Sequence, residues 1–182
     1  TGGHVMDRIN NISTVLKGTE ADAVGSEGDA IMPKLLFTEG GSQFDIYAVR
    51  SAGIDPATGQ EIFIKKDGTY TYKYDEDDRV AVGNSNPVLN GSWINTLRYK
   101  GFTLSLTTSY TFGADFYNTT LQSKVENIDP YKNVDARAYT ERWKNPGDLV
   151  RFLAINTVNN QMVNSERFVE RRNEIYVSNV QF

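Results

Sequence analysis

The chain contains no cysteine and only one histidine, His4, close to its first residue. The lack of cysteine excludes disulfide bonds, thiolate metal sites and cysteine nucleophiles. A Ser-His-Asp triad or a histidine metal site would have to be built around His4 alone, next to the start of the chain. We therefore predict neither kind of site.

Long apolar runs are also missing. No window approaches the roughly 18 consecutive apolar residues of a membrane-spanning helix, and the mean hydropathy is -0.47. These features exclude a helical membrane protein. They leave open a membrane β-barrel, whose strands alternate apolar and polar residues.

The chain has little excess charge of either sign. Its formal net charge is -4, its pI is about 5.1 and no segment forms a basic stripe, so we expect no nucleic-acid partner. A mixed cluster near the C-terminal end predicts a solvated charged patch; it comprises Glu166, Arg167, Glu170, Arg171, Arg172 and Glu174. Aromatic residues are plentiful, with 10 Tyr and 9 Phe, as is typical of strands, membrane-interface girdles and sugar-stacking surfaces.

Residues 102–112 alternate between apolar and hydroxyl-bearing side chains. A period of two predicts a β-strand with one apolar face, made by Phe102, Leu104, Leu106, Tyr110 and Phe112. Eleven residues are more than most globular strands contain, and about what a tilted strand needs to cross a membrane.

A tight turn at Lys100-Gly101 joins this strand to the alternating residues before it, because Gly101 can adopt a positive φ. The antiparallel register that follows pairs Leu97 with Leu104, Asn95 with Leu106, Trp93 with Thr108, Gly91 with Tyr110 and Leu89 with Phe112. Asn95 and Thr108 interrupt the apolar face. A slip of one residue would turn every apolar side chain to the polar side, so we expect a fixed register.

The rest of the chain reads as further strands and long loops. We predict a strand over residues 44–49, a turn at residues 55–59, a hairpin of residues 62–64 and 69–74, and a strand after Arg167. Residues 1–17 fit a helix or a strand. Residues 113–165 contain few regular strands, and the acidic run at residues 75–78 predicts a solvated turn rather than a calcium site. We see no internal domain boundary.

Catalysis has no positive support in the sequence. The carboxylates available for glycoside hydrolysis lie in the long loop region, where charge is normally solvated; they are Glu126, Asp129, Asp135, Glu141 and Asp148. A hydrolase is therefore the weakest of three interpretations. We predict no catalytic residue, no metal site and no cofactor in this segment.

Four short motifs are similar to elements of one known protein family. Residues 52–59 are similar to the family's AGVDPxTG element. Residues 86–87 with 99–105 resemble its NP…YKGFxLS hairpin, residues 142–148 its RWxxPGD element and residues 165–170 its S-x-RFVE element. The four occur in the order found in SusC/RagA-type TonB-dependent outer-membrane transporters, which the chain therefore resembles. Residues 171–179 depart from the family, because they carry more charge than its usual ASYLRLxN strand.

The resemblance implies an all-β fold, in which residues 1–182 form part of a plugged outer-membrane barrel of about 22 antiparallel strands with long extracellular loops. The plug domain, the TonB-contacting segment and most barrel strands would lie outside this late, C-terminal fragment. The family imports glycan or peptide fragments across the outer membrane of Gram-negative bacteria, with a SusD-like lipoprotein as its lid. TonB would act through the missing N-terminal part.

In that setting the Lys100-Gly101 turn is periplasmic, and residues 54–86 and 113–164 lie at the extracellular end. We expect contacts with substrate or lid from Tyr72, Tyr74, Tyr139 and Trp143, with packing among the loops as the alternative. We expect membrane lipid around Leu97, Phe102, Leu104, Leu106, Tyr110 and Phe112.

The main alternative is a soluble β-sandwich module that binds carbohydrate through its aromatic side chains. The apolar face of the hairpin separates the two interpretations. Lipid covers that face in a barrel, whereas a second sheet covers it in a sandwich.

Overall fold

A computed structural model of the protein describes residues 16–17, 36–37, 40–128, 131, 133–155 and 163–181. Antiparallel β-sheets dominate this part of the chain, which confirms the all-β prediction. The strands are β1 (Leu16–Lys17), β2 (Leu36–Phe37), β3 (Asp45–Ile54), β4 (Glu61–Ile64), β5 (Tyr70–Thr71), β6 (Arg79–Asn84), β7 (Leu89–Tyr99), β8 (Phe102–Tyr117) and β9 (Val169–Gln181). His4, Asp129 and all of residues 1–15 lie outside the described residues.

The longest strands form a three-stranded sheet in the order β7-β8-β9. The pairing of β7 with β8 confirms the predicted register throughout, from Leu89 opposite Phe112 to Tyr99 opposite Phe102. The turn between them has positive φ at both central residues, 46° at Lys100 and 89° at Gly101. Such a turn matches the right-handed twist of the strands it joins. The sequence predicts a positive φ at Gly101, but it does not predict the positive φ of Lys100.

Strand β8 continues past Phe112, where the sequence prediction ended it, as far as Tyr117. Its pairing with β9 shifts between Thr111 and Ala114. Gly113 adopts a φ of 77° at this β-bulge, and its N–H donates to Asn173 Oδ1 at 2.9 Å. The bulge interrupts the alternation of apolar and polar residues from which the strand was predicted. The last five residues of β8 therefore lack that pattern, and the prediction assigned them to a loop.

Strand β9 extends the apolar face of the hairpin. Val180 pairs with Leu106, Val177 with Thr108 and Ile175 with Tyr110. Thr108 therefore lies between Trp93 and Val177 on adjacent strands.

Within the described residues, this apolar face has no second sheet over it between the Lys100-Gly101 turn and the bulge, where Trp93 and Ile175 are both 65% exposed. Beyond the bulge, Asp115 accepts the N–H of Asn84 on β6. Leu97 is 62% exposed and Phe102 is 80% exposed, while the other predicted lipid-facing residues are half-buried between neighbouring strands. The β-sandwich alternative therefore has no partner sheet in the part of the chain that the structure describes. No helix among these residues is long and apolar enough to cross a membrane.

A second sheet has the order β5-β4-β3-β6. It confirms the strand predicted at residues 44–49 and shortens the second arm of the predicted hairpin to Tyr70–Thr71. Strand β3 buries four consecutive residues, Ile46 to Val49. Both of its faces are therefore covered, in contrast to the apolar face of the three-stranded sheet.

Short helices occupy the region after β8 that was predicted to be irregular. They are α1 (Thr119–Leu121), a π-helix (Gln122–Glu126), α2 (Arg137–Thr140) and a 3-10 helix (Glu166–Phe168), and another 3-10 helix (Glu76–Asp78) precedes β6. They enclose a core of Leu121, Val125, Ala138, Phe152 and Phe168, against which Tyr117 and Ile128 pack. This region is therefore a packed layer rather than a set of separate loops.

Candidate functional site

We call the described residues of 50–86 and 118–168 the loop layer. It lies at the end of the three-stranded sheet that is opposite the Lys100-Gly101 turn, because β8 leads into it and β9 leaves it. The N–H of Asn118 donates to the carbonyl of Phe168 at 2.7 Å, which joins the two strands at this end. Asn118 Nδ2 also donates to Glu170 at 2.7 Å.

A buried ion-pair cluster holds the loop layer together. Arg167 Nη2 lies 2.7 Å from Glu61 Oε2 and 3.0 Å from Glu126 Oε1. The Arg167 side chain is only 10% exposed. Ser165 donates its hydroxyl to the other oxygen of Glu61. Burial alone would lower the pKa of Arg167, but the hydrogen bond and charge of Glu61, and then those of Glu126, raise it above its usual range.

Two sequence predictions are wrong at this cluster. Arg167 was expected in a solvated patch and Glu126 in a solvated loop, yet both are buried and paired. The neighbouring Arg172 does lie in an exposed ion pair, with Glu174. One feature of the sequence indicates the burial of Glu61: it lies two residues before Phe63 on β4, so both side chains share a face, and both are buried.

A second buried arginine, Arg142, binds backbone carbonyls instead of a carboxylate. Its Nη2 donates to Val125 and Glu126 at 2.6 Å each, and its Nε donates to Ala138 at 2.8 Å. Its Nη1 donates to Leu153 at 3.0 Å. Burial lowers the pKa of Arg142, and the charge of Glu126 offsets part of that effect. Arg142 thus fastens the π-helix, α2 and the segment after it to one another.

Trp143 clasps the turn at residues 55–59. Its indole Nε1 donates to the Pro56 carbonyl at 2.9 Å, and the N–H of Gly147 donates to the same oxygen at 2.8 Å. The ring lies against Gly59, where an added Cβ would come within 2.5 Å of Trp143 Cδ2. We call this set of contacts the clasp. It brings together two of the motifs that carry the family resemblance.

The other predicted contact residues differ in exposure. Tyr139 is 68% exposed, and Lys144 Nζ lies 3.5 Å from its ring centroid. Tyr72 is 55% exposed and donates its hydroxyl to Asp55 Oδ2 at 2.9 Å. Tyr74 is half-buried and packs edge-on against Phe63 at 5.5 Å between ring centroids, and its burial raises its pKa. Tyr139 and Tyr72 are therefore the accessible members of the predicted set.

Two shallow grooves open on the loop layer. One is lined by Ala52, Ile62, Tyr70, Thr71 and Tyr72 and is mainly apolar. The other runs between the end of β3 and the segment after α2, and is lined by Ala52, Gly53, Ile54, Thr140, Glu141, Leu149, Val150 and Arg151. Tyr72 thus belongs to a groove that sequence reasoning did not identify, because its other walls come from β3 and β4.

Two of the remaining loop carboxylates, Asp135 and Asp148, are engaged separately. Asp135 pairs with Arg137 at 2.8 Å, and the hydrogen bonds from Arg137 lower the pKa of Asp135 to about 2. Asp148 accepts the backbone N–H groups of Lys144 and Asn145. In the described part of the chain, no group of three or more His, Cys, Asp or Glu side chains could hold a metal ion.

Solved structures share this fold. A chain of the RagAB peptide importer in its 'closed-closed' state matches with a TM-score of 0.62 and 17% identity over 80% of this chain. The 'open-open' state matches with the same values, and another structure of the RagAB peptide transporter gives 0.58 at 20% identity. This chain spans 16% of the length of each matched chain. Neither a protein-family model nor a curated protein matches it.

The clasp predicts different outcomes for two glycine substitutions. Gly59→Ala strains a residue with a φ of +70° and drives its Cβ into the Trp143 ring, whereas Gly68→Ala imposes similar strain, at +86°, in open space. We expect strain to cost about 1 kcal/mol in each variant and the clash to add about 1–3 kcal/mol in Gly59→Ala. Thermal unfolding of the two variants measures both effects. Equal losses of stability would contradict the clasp.

The ion-pair cluster predicts a large effect for Arg167→Met, because it leaves Glu61 and Glu126 buried without a cation. We expect a loss of about 3–5 kcal/mol in denaturant unfolding. The control, Arg137→Met, removes an exposed ion pair and should change stability little. Adding Glu61→Gln and Glu126→Gln to Arg167→Met should restore part of the loss. Similar stabilities for Arg167→Met and Arg137→Met would show that the buried cluster is dispensable.

Proposed function

We propose that this chain is part of an outer-membrane, TonB-dependent importer of nutrient oligomers, of the SusC/RagA type. The three-stranded sheet would form part of the barrel wall, and the loop layer would lie at the extracellular end. A SusD-like lipoprotein would meet the loop layer as a lid. TonB would act on a part of the parent protein outside this chain, in a Gram-negative outer membrane.

The uncovered apolar face of the three-stranded sheet is the observation that carries the proposal. Its strands are 11, 16 and 13 residues long, and strands of 9–11 residues suffice to cross a bilayer at a tilt of about 45°. Their opposite face is rich in hydroxyl groups, as is typical of a wet barrel interior. Both outer edges of this sheet are unpaired among the described residues, where the neighbouring strands of a barrel would continue it.

The loop layer supports the second half of the proposal. Its buried core, ion-pair cluster and clasp fix the positions of exposed aromatic side chains on a rigid base. Exposed tyrosines on rigid supports are efficient contact residues, because little conformational entropy is lost when they bind. The likeness to a peptide importer makes peptides the first substrates to test, with glycan fragments as the second class.

The barrel assignment is tested by substitutions on the two faces of β8. Leu106→Arg should destabilise the full-length protein in a bilayer by about 2–4 kcal/mol if it lies near the midplane, whereas Thr107→Arg on the opposite face should be tolerated. Spin labels at positions 104 and 106 should be accessible to lipid-soluble oxygen, and labels at 105 and 107 to water-soluble reagents. A packed second sheet that shields positions 104 and 106 would overturn the barrel.

Uptake measurements test the loop tyrosines. We expect Tyr139→Ala and Tyr72→Ala in the full-length protein to weaken substrate or lid binding by about fivefold or more, as for a contact residue worth above 1 kcal/mol. Trp143→Ala should lower loop stability as well, because it also breaks the clasp. Tyr99→Ala, beside the opposite turn, serves as the control. Unchanged uptake and lid affinity in both tyrosine variants would remove these residues from the site.

A further inference from the structure

A shallow groove of about 670 Å³ lies on the apolar face of the three-stranded sheet, away from the loop layer grooves. It spans all three strands and is lined by Leu89, Ser92, Trp93, Thr108, Tyr110, Phe112 and Ile175. Its lining is predominantly apolar, and it is continuous with the exposed residues of β9. Most of its walls therefore offer contacts to hydrocarbon rather than to polar groups.

Two small residues, Gly91 and Thr108, lie on this part of the sheet. Thr108 separates the larger side chains of Trp93 and Val177 across the sheet. Gly91 has no side chain, and the Tyr110 ring lies across it, since an added Cβ at Gly91 would meet the Tyr110 hydroxyl at 2.6 Å. In the sequence, Thr108 interrupts the apolar face. In the structure it is the small residue between the larger side chains of Trp93 and Val177.

A cation lies beyond one end of the groove. Alternation along β9 places Arg171 on the same face as Ile175, four residues away, or about 13 Å along the strand. Arg171 Nη2 lies 3.6 Å from the position that a Cβ on Gly113 would occupy.

Arg171 is exposed. Asp115 lies opposite it on β8, but the Asp115 carboxylate accepts the N–H of Asn84 at 3.0 Å, and no ion pair joins Asp115 to Arg171 within the described residues. Arg172, on the opposite face, is paired with Glu174.

We propose that this groove and Arg171 form a binding site for an anionic membrane lipid with a phosphate head group. An acyl chain occupies the apolar groove, and the lipid phosphate accepts hydrogen bonds from the Arg171 guanidinium. The inference rests on the proposed function, because that orientation places the Arg171 end of the sheet nearer the extracellular surface.

Charge and spacing favour this occupant over general solvation by lipid. A guanidinium binds phosphate oxygens through two parallel N–H donors, which an ordinary apolar barrel surface does not supply. A cation at the bilayer interface attracts anionic lipids. The separation between Arg171 and Ile175 lets one molecule contact both, with its head at the bulge and its chain in the groove.

Native mass spectrometry of the full-length protein in detergent tests the site, with phosphatidylglycerol, phosphatidylcholine and inorganic phosphate as separate probes. We expect Arg171→Gln to reduce retained phosphatidylglycerol by about five- to tenfold, while Arg172→Gln retains it. Thr108→Phe, which fills the groove, should reduce retention as well without removing a charge. Phosphatidylcholine should bind the unsubstituted protein more weakly, and inorganic phosphate should not displace phosphatidylglycerol.

Three outcomes would overturn the lipid site. They are equal retention in the Arg171→Gln and Arg172→Gln variants, equal retention of the two lipids, and full displacement by inorganic phosphate. The spin-label measurement on β8 separates this failure from failure of the proposed function. If positions 104 and 106 are lipid-exposed and any of these outcomes occurs, only the lipid site is wrong. If those positions are shielded, the barrel fails, and the lipid site with it.

Discussion

The contact of Arg167 with Glu61 and Glu126 is the interaction on which the loop layer depends. It joins β4, the π-helix and the 3-10 helix that leads directly into β9. Removing one member of such a buried cluster leaves charge without compensation, so the three side chains must be placed together. The segment before β9 is fixed by the same contact, which ties the position of a long sheet strand to residues far away in sequence.

The two halves of the molecule follow different physical rules. The three-stranded sheet satisfies its backbone between strands and leaves apolar side chains uncovered on one face. The loop layer instead buries charge and covers both faces of β3. The exposed apolar side chains of the sheet are unfavourable in water and favourable against an apolar surrounding. The same contrast explains why average hydropathy says little about this protein.

Local patterns made much of the sheet predictable. The alternation of residues 102–112 and the glycine at position 101 were sufficient for the full β7–β8 register, because strand pairing across a tight turn depends on neighbouring residues. The cluster was beyond this reasoning, since Arg167 and Glu61 are 106 residues apart and a run of mixed charges normally means exposure. The clasp could not be predicted for a similar reason. Its two motifs were identified in the sequence, but they are far apart along the chain, and nothing local indicates that they touch. The roles of the exposed tyrosines stay predictions.

The bulge at Gly113 shifts the side-chain alternation of β8 by one residue. Before it, even-numbered residues share the apolar face. After it, the odd-numbered Asp115 and Tyr117 pair with Arg171 and Val169 of the corresponding β9 face. Asp115 then accepts the N–H of Asn84 at 3.0 Å, which connects the strand to the second sheet. A single additional residue thus lets one continuous strand expose its apolar face before the bulge and contact the second sheet after it.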